Sequence, residues 1–155
     1  MDITELLDIN NISLEMEAST KDEAITDLTT LLKDSNCISD SNQFIKDILK
    51  REEQMSTYCG SQSAIPHAIS SVVIKPSIAL GITQGTAWEV DDDMEIVNLI
   101  FMLAIPPKSG DTHIELLSNI ALLILEDEFR SKILNARSRE QIIEIFDNSI
   151  KSNKS

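Results

Sequence analysis

The sequence has 155 residues, 42% of them hydrophobic, and a net charge of −13. This length and apolar content predict one compact domain with a sizeable core. An acidic surface repels nucleic-acid backbones and anionic lipids, which argues against both as partners. No apolar run reaches the roughly 18 residues of a membrane helix, and the acidic start Met1–Glu5 lacks the basic residues of a signal peptide. We therefore expect a soluble, cytoplasmic protein.

Helical and strand patterns alternate along the chain, which predicts an α/β fold. A first helix is expected to begin at Thr20, which has capping-box spacing to Glu23, and to stop at Asn36. The remaining predicted helices are Asn42–Arg51, a helix starting at Thr112 with Glu115 in capping position, Glu126–Asn135, and a last helix after Ser138.

The strand signals lie in the middle of the chain. Short β-prone pieces at Ser63–Ile69 and Val72–Ile74 follow a polar, turn-like stretch. A strand at Ser77–Thr83 is expected to end before Gly85. Glu95–Ile105 is almost entirely apolar from Leu99 onward, which predicts a central strand covered on both faces.

His67 is a candidate nucleophile because it follows Pro66 in the segment Ala64-Ile65-Pro66-His67-Ala68. Proline fixes its own φ and pushes the residue before it into an extended conformation, so the backbone here is stiff. Imidazole attacks well near neutral pH, and a phosphorylated ring nitrogen can pass its group on. The alternative is a hydrogen-bonded structural histidine.

Four more side chains could assist at a phosphoryl site. His113 lies at a predicted helix start, where free N–H groups attract phosphate, although it could be an ordinary solvent-facing residue. Arg51 could bind phosphoryl oxygens, or it could be a helix-end cation paired with a neighbouring glutamate. The hydroxyls of Ser56 and Thr57 could donate to phosphate or belong to a turn.

Other chemistry finds no support in the sequence. Cys37 and Cys59 lie outside any CxxC or zinc-ligand spacing, so we expect reduced thiols and no metal. There is no nucleotide-binding P-loop, no nucleophile elbow and no carboxylate pair of glycosidase type. We expect no cofactor.

Several segments in order resemble one known family. Arg51–Thr57 and Ala64–Ala68 resemble the active-site segment of the enzyme IIA domains of the fructose–mannitol family, in the phosphoenolpyruvate-dependent sugar phosphotransferase system. The resemblance continues through Lys75–Ile82, Trp88, Leu99–Pro106, His113–Leu117 and Phe129–Ser138. It covers residues 1–150 and leaves 151–155 as an expected disordered tail.

The resemblance implies a fold and a reaction. The fold is a single α/β domain with a mixed β-sheet flanked by helices on both faces. His67 matches the histidine that accepts a phosphoryl group from the carrier HPr and delivers it to a cysteine of an enzyme IIB domain, for uptake through a membrane permease. His113 matches a supporting histidine, and Arg51 matches an arginine near the site.

The chain departs from the family pattern before His67. The family has a glycine-rich stretch here, whereas Tyr58–Ser63 retains only Gly60, whose backbone is our remaining candidate for cradling phosphate. Two alternatives to a sugar phosphocarrier stay open, of which only the degenerate domain is suggested by this altered segment. The protein could be a regulatory, nitrogen-type module that signals by phosphorylation-dependent protein binding, or a degenerate domain that binds partners without accepting phosphate.

Overall fold

The two longest strands pair in the middle of a six-stranded mixed sheet in the computed structural model, which describes residues 3–109 and 111–153. The side chains of Thr112, His113 and Asn153 lie outside the described part. The strands are β1 (Leu7–Met16), β2 (Tyr58–Gly60), β3 (Ser63–Ala64), β4 (His67–Ile69), β5 (Ser77–Val90) and β6 (Asp93–Ile105). The helices are α1 (Lys21–Asp34), α2 (Ser41–Gln54), α3 (Thr112–Ile124), α4 (Asp127–Leu134) and α5 (Arg139–Asn153), preceded by a 3-10 turn at Ile3–Glu5.

The sheet is mixed because β6 has neighbours of both directions. Its order is β1-β5-β6-β3-β2, and β4 also pairs with β6. β5 and β6 are antiparallel, whereas β3 and β4 run parallel to β6, and β1 runs parallel to β5. β4 pairs further along β6 than β3 does, and among the described residues β6 is its only partner strand, which makes β4 an edge strand.

The side chains of β6 alternate between two separate hydrophobic cores, as the period of a strand requires. Leu99, Phe101, Leu103 and Ile105 pack with α3, α4 and α5 on one face. Ile100, Met102 and Ala104 pack with α1 and α2 on the other face. The prediction of a central strand covered on both faces is confirmed, and so is the α/β fold with helices on both sides.

The helix boundaries follow the predicted caps in most cases. The Thr20 hydroxyl accepts a hydrogen bond from the Glu23 N–H at 3.2 Å, and Asn36, just beyond the end of α1, has a φ of 62°. α4 matches its predicted extent within a residue at each end, and the Ser138 hydroxyl caps α5 through the Gln141 N–H at 3.1 Å. α2 starts one residue earlier than predicted and ends three residues later.

The predicted start of α3 at Thr112 is confirmed, but the predicted cap is corrected, because Asp111 occupies the cap position, where its carbonyl accepts the Glu115 N–H at 3.1 Å. The predicted end of β5 before Gly85 is wrong, because this glycine, with a φ of 154°, lies within a register irregularity between Ile82 and Thr86, after which the strand resumes. No strand was predicted at β1 or β2, and the predicted β-prone piece Val72–Ile74 forms only an isolated bridge between Val73 and Ile38.

The last helix continues into the segment that we expected to be a tail. α5 ends at Asn153, so residues 151–153 are helical. Ile150, only 3% exposed, packs this end of the helix into the core, and Lys151 in its last turn suits the helix dipole. Among the described residues, no helix is long and apolar enough to cross a membrane.

Candidate active site

His67 stands at the start of β4 with its ring fixed by the backbone just before it. The ring Nδ1 lies 2.9 Å from the carbonyl oxygen of Ile65. A carbonyl oxygen can only accept, so Nδ1 carries the hydrogen in this contact. In a neutral imidazole the lone pair is then on Nε2, which becomes the nucleophilic atom. The Pro66 carbonyl in turn accepts the Leu103 N–H at 2.9 Å, which holds this segment on β6.

A cleft of about 460 Å³ lies between α2 and β4. α2 contributes Asp47, Lys50, Arg51 and Gln54, and β4 contributes His67, Ala68 and Ile69. The four helix residues are spaced i, i+3, i+4 and i+7, so they occupy one face of α2. The structure thus brings Arg51 and His67 to the same cleft, as the sequence predicted, and adds Lys50 as a second cation.

Arg51 also has the structural role of a helix-end cation. Its Nη1 donates to the Met55 carbonyl oxygen at 2.7 Å, and Met55 is the residue at the C-cap of α2. Carbonyls at the end of a helix lack partners inside it, so this bond stabilises the last turn. A guanidinium has five N–H donors, which leaves donors for an anion in the cleft.

Asp47 connects the two walls of the cleft. Its Oδ2 accepts from the Ser70 hydroxyl at 2.6 Å, and its Oδ1 accepts from the Gln43 side-chain amide at 3.0 Å. Ser70 follows directly after β4, so this hydrogen bond joins α2 to the strand that carries His67. The sequence analysis missed Asp47 and Lys50, although their helical spacing from Arg51 could have identified them.

The hydroxyls proposed from the sequence do not point into this cleft. Thr57 is 8% exposed, and its hydroxyl donates to the Glu52 carboxylate, which also accepts the Thr57 N–H at 3.2 Å. The Ser56 hydroxyl accepts the Tyr58 N–H at 3.2 Å, as in a turn. Neither residue is among the described residues that line the cleft, and the same holds for Gly60.

The glycine-poor segment Tyr58–Ser63 forms a tight hairpin. Strands β2 and β3 are joined through Ser61 and Gln62, with φ values of 53° and 58°. Positive φ at both central residues is the geometry of a type I′ turn, which normally favours glycine or asparagine. Gly60 also has a positive φ, 85°, and a Cβ added there would meet nothing within 4 Å. The left-handed geometry is therefore kept although most of the family's glycines are absent.

Contacts to β6 hold this hairpin in place. The Gln62 carbonyl accepts the Asn98 N–H at 2.9 Å, and the two side chains bond at 3.0 Å. The Cys59 thiol, 3.3 Å from the Ser63 carbonyl oxygen, is partly buried in the hairpin. Burial raises the pKa of this thiol to about 11, so it is protonated near neutral pH.

The expected role of His113 falls on a side chain outside the described part of the structure. Its backbone belongs to the first turn of α3, which begins at Thr112 after β6. The chain position at a helix N-terminus is thus as predicted, and its relation to His67 stays a prediction.

The fold and cleft define a single-domain α/β protein with a histidine at the edge of a mixed sheet, and comparisons with known proteins identify its family. Residues 5–149 match the family model described as "Phosphoenolpyruvate-dependent sugar phosphotransferase system, EIIA 2". The fructose-specific EIIABC component of Bacillus subtilis (strain 168) is 36% identical over 145 residues, which are 94% of this chain and 23% of that relative. The chain belongs to the type 2 EIIA family of this phosphotransferase system, which confirms the resemblance found in the sequence.

Solved structures show the same fold. The nitrogen regulatory protein IIA-Ntr from Neisseria meningitidis superposes with a TM-score of 0.84 and 26% identity, over 92% of this chain and 97% of that one. The mannitol enzyme IIA of Escherichia coli, solved in complex with phosphorylated enzyme IIB, superposes with a TM-score of 0.76 and 21% identity, over 92% and 99% of the two chains. The chain spans only 17% to 23% of three curated relatives, all EIIABC components.

Proposed function

We propose that this protein is a phosphocarrier that accepts a phosphoryl group from phospho-HPr on Nε2 of His67 and passes it to a cysteine of an enzyme IIB component for sugar uptake. The observation that carries this proposal is the contact of Nδ1 with the Ile65 carbonyl, which leaves the lone pair of the neutral ring on Nε2. Membership of the EIIA family supplies the phosphoryl-transfer context.

The chemistry needs no redox partner. In acceptance, Nε2 attacks phosphorus while the P–N bond of the donor phosphohistidine breaks. In donation, a cysteine thiolate attacks and the P–N bond to His67 breaks as a P–S bond forms. Both ends of the first step are phosphohistidines of similar energy, so we expect neither a metal nor a nucleotide to be required.

Local cations must offset the added charge of about −1.5 to −2 on a strongly acidic protein. Lys50 and Arg51 face the cleft with His67, and among the described residues neither is in an ion pair. We propose that Arg51 binds the phosphoryl oxygens and that His113 supports the group during donation. The hydroxyl of Thr57 is committed to Glu52, so we assign it no phosphate contact.

The partners follow from the relatives. An EIIA with the same fold has been solved with phosphorylated IIB, and this chain matches 23% of a relative named as an EIIABC component. We propose a IIB domain as acceptor, an indirect association with a membrane permease, and a cytoplasmic location. The similarity to IIA-Ntr supports the second candidate, a regulatory module that signals by phosphorylation-dependent protein binding.

Reconstitution with phosphoenolpyruvate, enzyme I and HPr, followed by a panel of IIB domains, tests the proposal. We expect the wild-type chain to take label and to pass it to at least one IIB cysteine, while His67→Ala takes none. A chain that is labelled but transfers to no IIB favours the regulatory candidate. A chain that binds phospho-HPr without being labelled supports the degenerate domain and contradicts the proposal.

A further inference from the structure

A chain of hydrogen bonds connects a buried carboxylate on α2 to the ring of His67. The Glu52 carboxylate accepts both the hydroxyl and the N–H of Thr57. The Thr57 carbonyl accepts the Ile65 N–H at 3.0 Å, and the Ile65 carbonyl is the group that contacts Nδ1 of His67 at 2.9 Å. Successive bonds share a residue, first Thr57 and then Ile65, so we expect a displacement at Thr57 to reach the ring through the backbone of Ile65.

Glu52 is unusual for a glutamate near the end of a helix. Its exposure is 6%, whereas its neighbour Glu53 is exposed to solvent. A buried carboxylate is costly unless its oxygens are hydrogen-bonded, and here Thr57 satisfies both of them. Removing the Thr57 hydroxyl would leave one oxygen unsatisfied, so the carboxylate would reorient toward solvent and release the Thr57 backbone.

We infer that Glu52 and Thr57 are positioning residues, which hold the Ile65 carbonyl against His67 and thereby keep the reacting lone pair on Nε2. This inference deepens the proposed function and rests on it for its effect on transfer. Neither residue needs to touch the phosphoryl group, since both act through the backbone of Ile65, whose N–H bonds to Thr57 and whose carbonyl contacts His67. A hydrogen bond made by one ring nitrogen of a histidine determines which tautomer is present. The contact of Nδ1 with the Ile65 carbonyl therefore decides that Nε2 is the reacting nitrogen of His67.

If Glu52 and Thr57 had only a structural role, the variants would behave differently. The same contacts could serve only to fasten the segment between α2 and β2, in which case their loss would lower stability without changing the ring. The tautomer of His67, measured by ¹⁵N NMR of the two ring nitrogens on the alkaline side of the ring's titration, separates the two roles. It also requires no phosphoryl donor.

The key variant is Thr57→Val, which keeps the branched shape and removes the hydroxyl, with Thr57→Ser as the conservative rescue. Thr29→Val is the matched control, because Thr29 is fully buried and its hydroxyl bonds to the Ile25 carbonyl at 2.7 Å, within α1. We expect Thr57→Val to lower the fraction of Nδ1–H tautomer and to slow phosphoryl acceptance at least fivefold. Thr57→Ser should recover most of both, and Thr29→Val should change neither.

The outcomes separate this inference from the proposed function. If Thr57→Val keeps the wild-type tautomer, or accepts phosphate at the wild-type rate, the inference is overturned while phosphoryl transfer stands. If the tautomer changes but the wild-type chain is never labelled, the positioning contacts are supported and the proposed function fails.

Discussion

Arg51→Ala should separate two roles of one guanidinium. The substitution removes the bond to the Met55 carbonyl, which at an exposed helix end is worth about 1 kcal/mol, or roughly 2–4 °C in melting temperature for a domain of this size. It also removes a cation from the cleft that contains His67. The first loss lowers stability, and the second slows phosphoryl acceptance.

The size of the second effect follows from Coulomb's law. At a contact of about 4 Å and an effective dielectric constant of about 40 to 80, one cation interacts with a unit negative charge by about 1 to 2 kcal/mol. For a phosphoryl charge of about −1.5 to −2, this gives about 1.5 to 4 kcal/mol. Acceptance should therefore slow by more than about tenfold, the factor that corresponds to about 1.4 kcal/mol.

The assay pairs the rate of labelling by phospho-HPr with urea unfolding of the same samples. Lys50→Ala is the matched control, because Lys50 is the neighbouring cation in the cleft and lacks the bond to Met55. We expect Lys50→Ala to leave stability unchanged and to slow acceptance less than Arg51→Ala does, since a lysine lacks the planar fork that binds two phosphoryl oxygens at once. If Arg51→Ala lowers stability but is labelled at the wild-type rate, Arg51 is only a helix-end cation and our argument about the cleft is refuted.

Three further predictions concern the hairpin and the cleft wall. Gly60→Ala should lower the free energy of unfolding, measured in urea, by about 1 to 2 kcal/mol, because Gly60 has a φ of 85°, and Gly60→Asn should lower it less. Equal stability of the wild type and both variants would contradict an enforced left-handed backbone at this position. Burial raises the pKa of Cys59 from 9.0 to about 11, so in a Cys37→Ala background its thiol should react with iodoacetamide at pH 8 about 100-fold more slowly in the folded chain than in urea. The contribution of Cys59 to stability should decline as pH rises from 9.0 to about 11. Fast reaction of the folded chain would count against burial of the thiol. Ser70→Ala should lower the free energy of unfolding by about 1 to 2 kcal/mol, since it breaks the bond to Asp47. Ser77→Ala should lower it less, because the Ser77 hydroxyl bonds to the carbonyl of Lys75, two residues away; a reversed order would show that Asp47 does not hold the cleft wall.

The central strand and several helix starts could be predicted because the residue types there match the burial and the hydrogen bonds that those positions have in the structure. β6 lies between two cores, so its run of apolar residues matched its environment on both faces. The caps of α1 and α5 were visible as serine or threonine followed by glutamate or glutamine. β1 escaped prediction because its register is irregular in two places, which breaks the alternation that marks a strand.

The site was predictable only in part, because residue type does not reveal which partner a side chain takes. Thr57 was chosen as a hydroxyl donor, and the structure gives that hydroxyl to Glu52. Glu52 offered no signal, since a glutamate at the end of a helix normally faces solvent. In the segment that lacks most of the family's glycines, only Gly60 was singled out from the sequence, whereas Ser61 and Gln62 also take up left-handed conformations. Such strain depends on tertiary contacts, here those between Gln62 and Asn98, that no local pattern records.

The most direct test of the account is the position of the phosphoryl group after incubation with phospho-HPr. Mass spectrometry of the peptide that contains His67 should show one acid-labile, alkali-stable phosphoryl group, absent from His67→Ala, and ¹⁵N NMR should assign it to Nε2. A phosphoryl group on Nδ1 would contradict the role given to the Ile65 carbonyl, and wild-type labelling of His67→Ala would contradict the assignment of His67 itself.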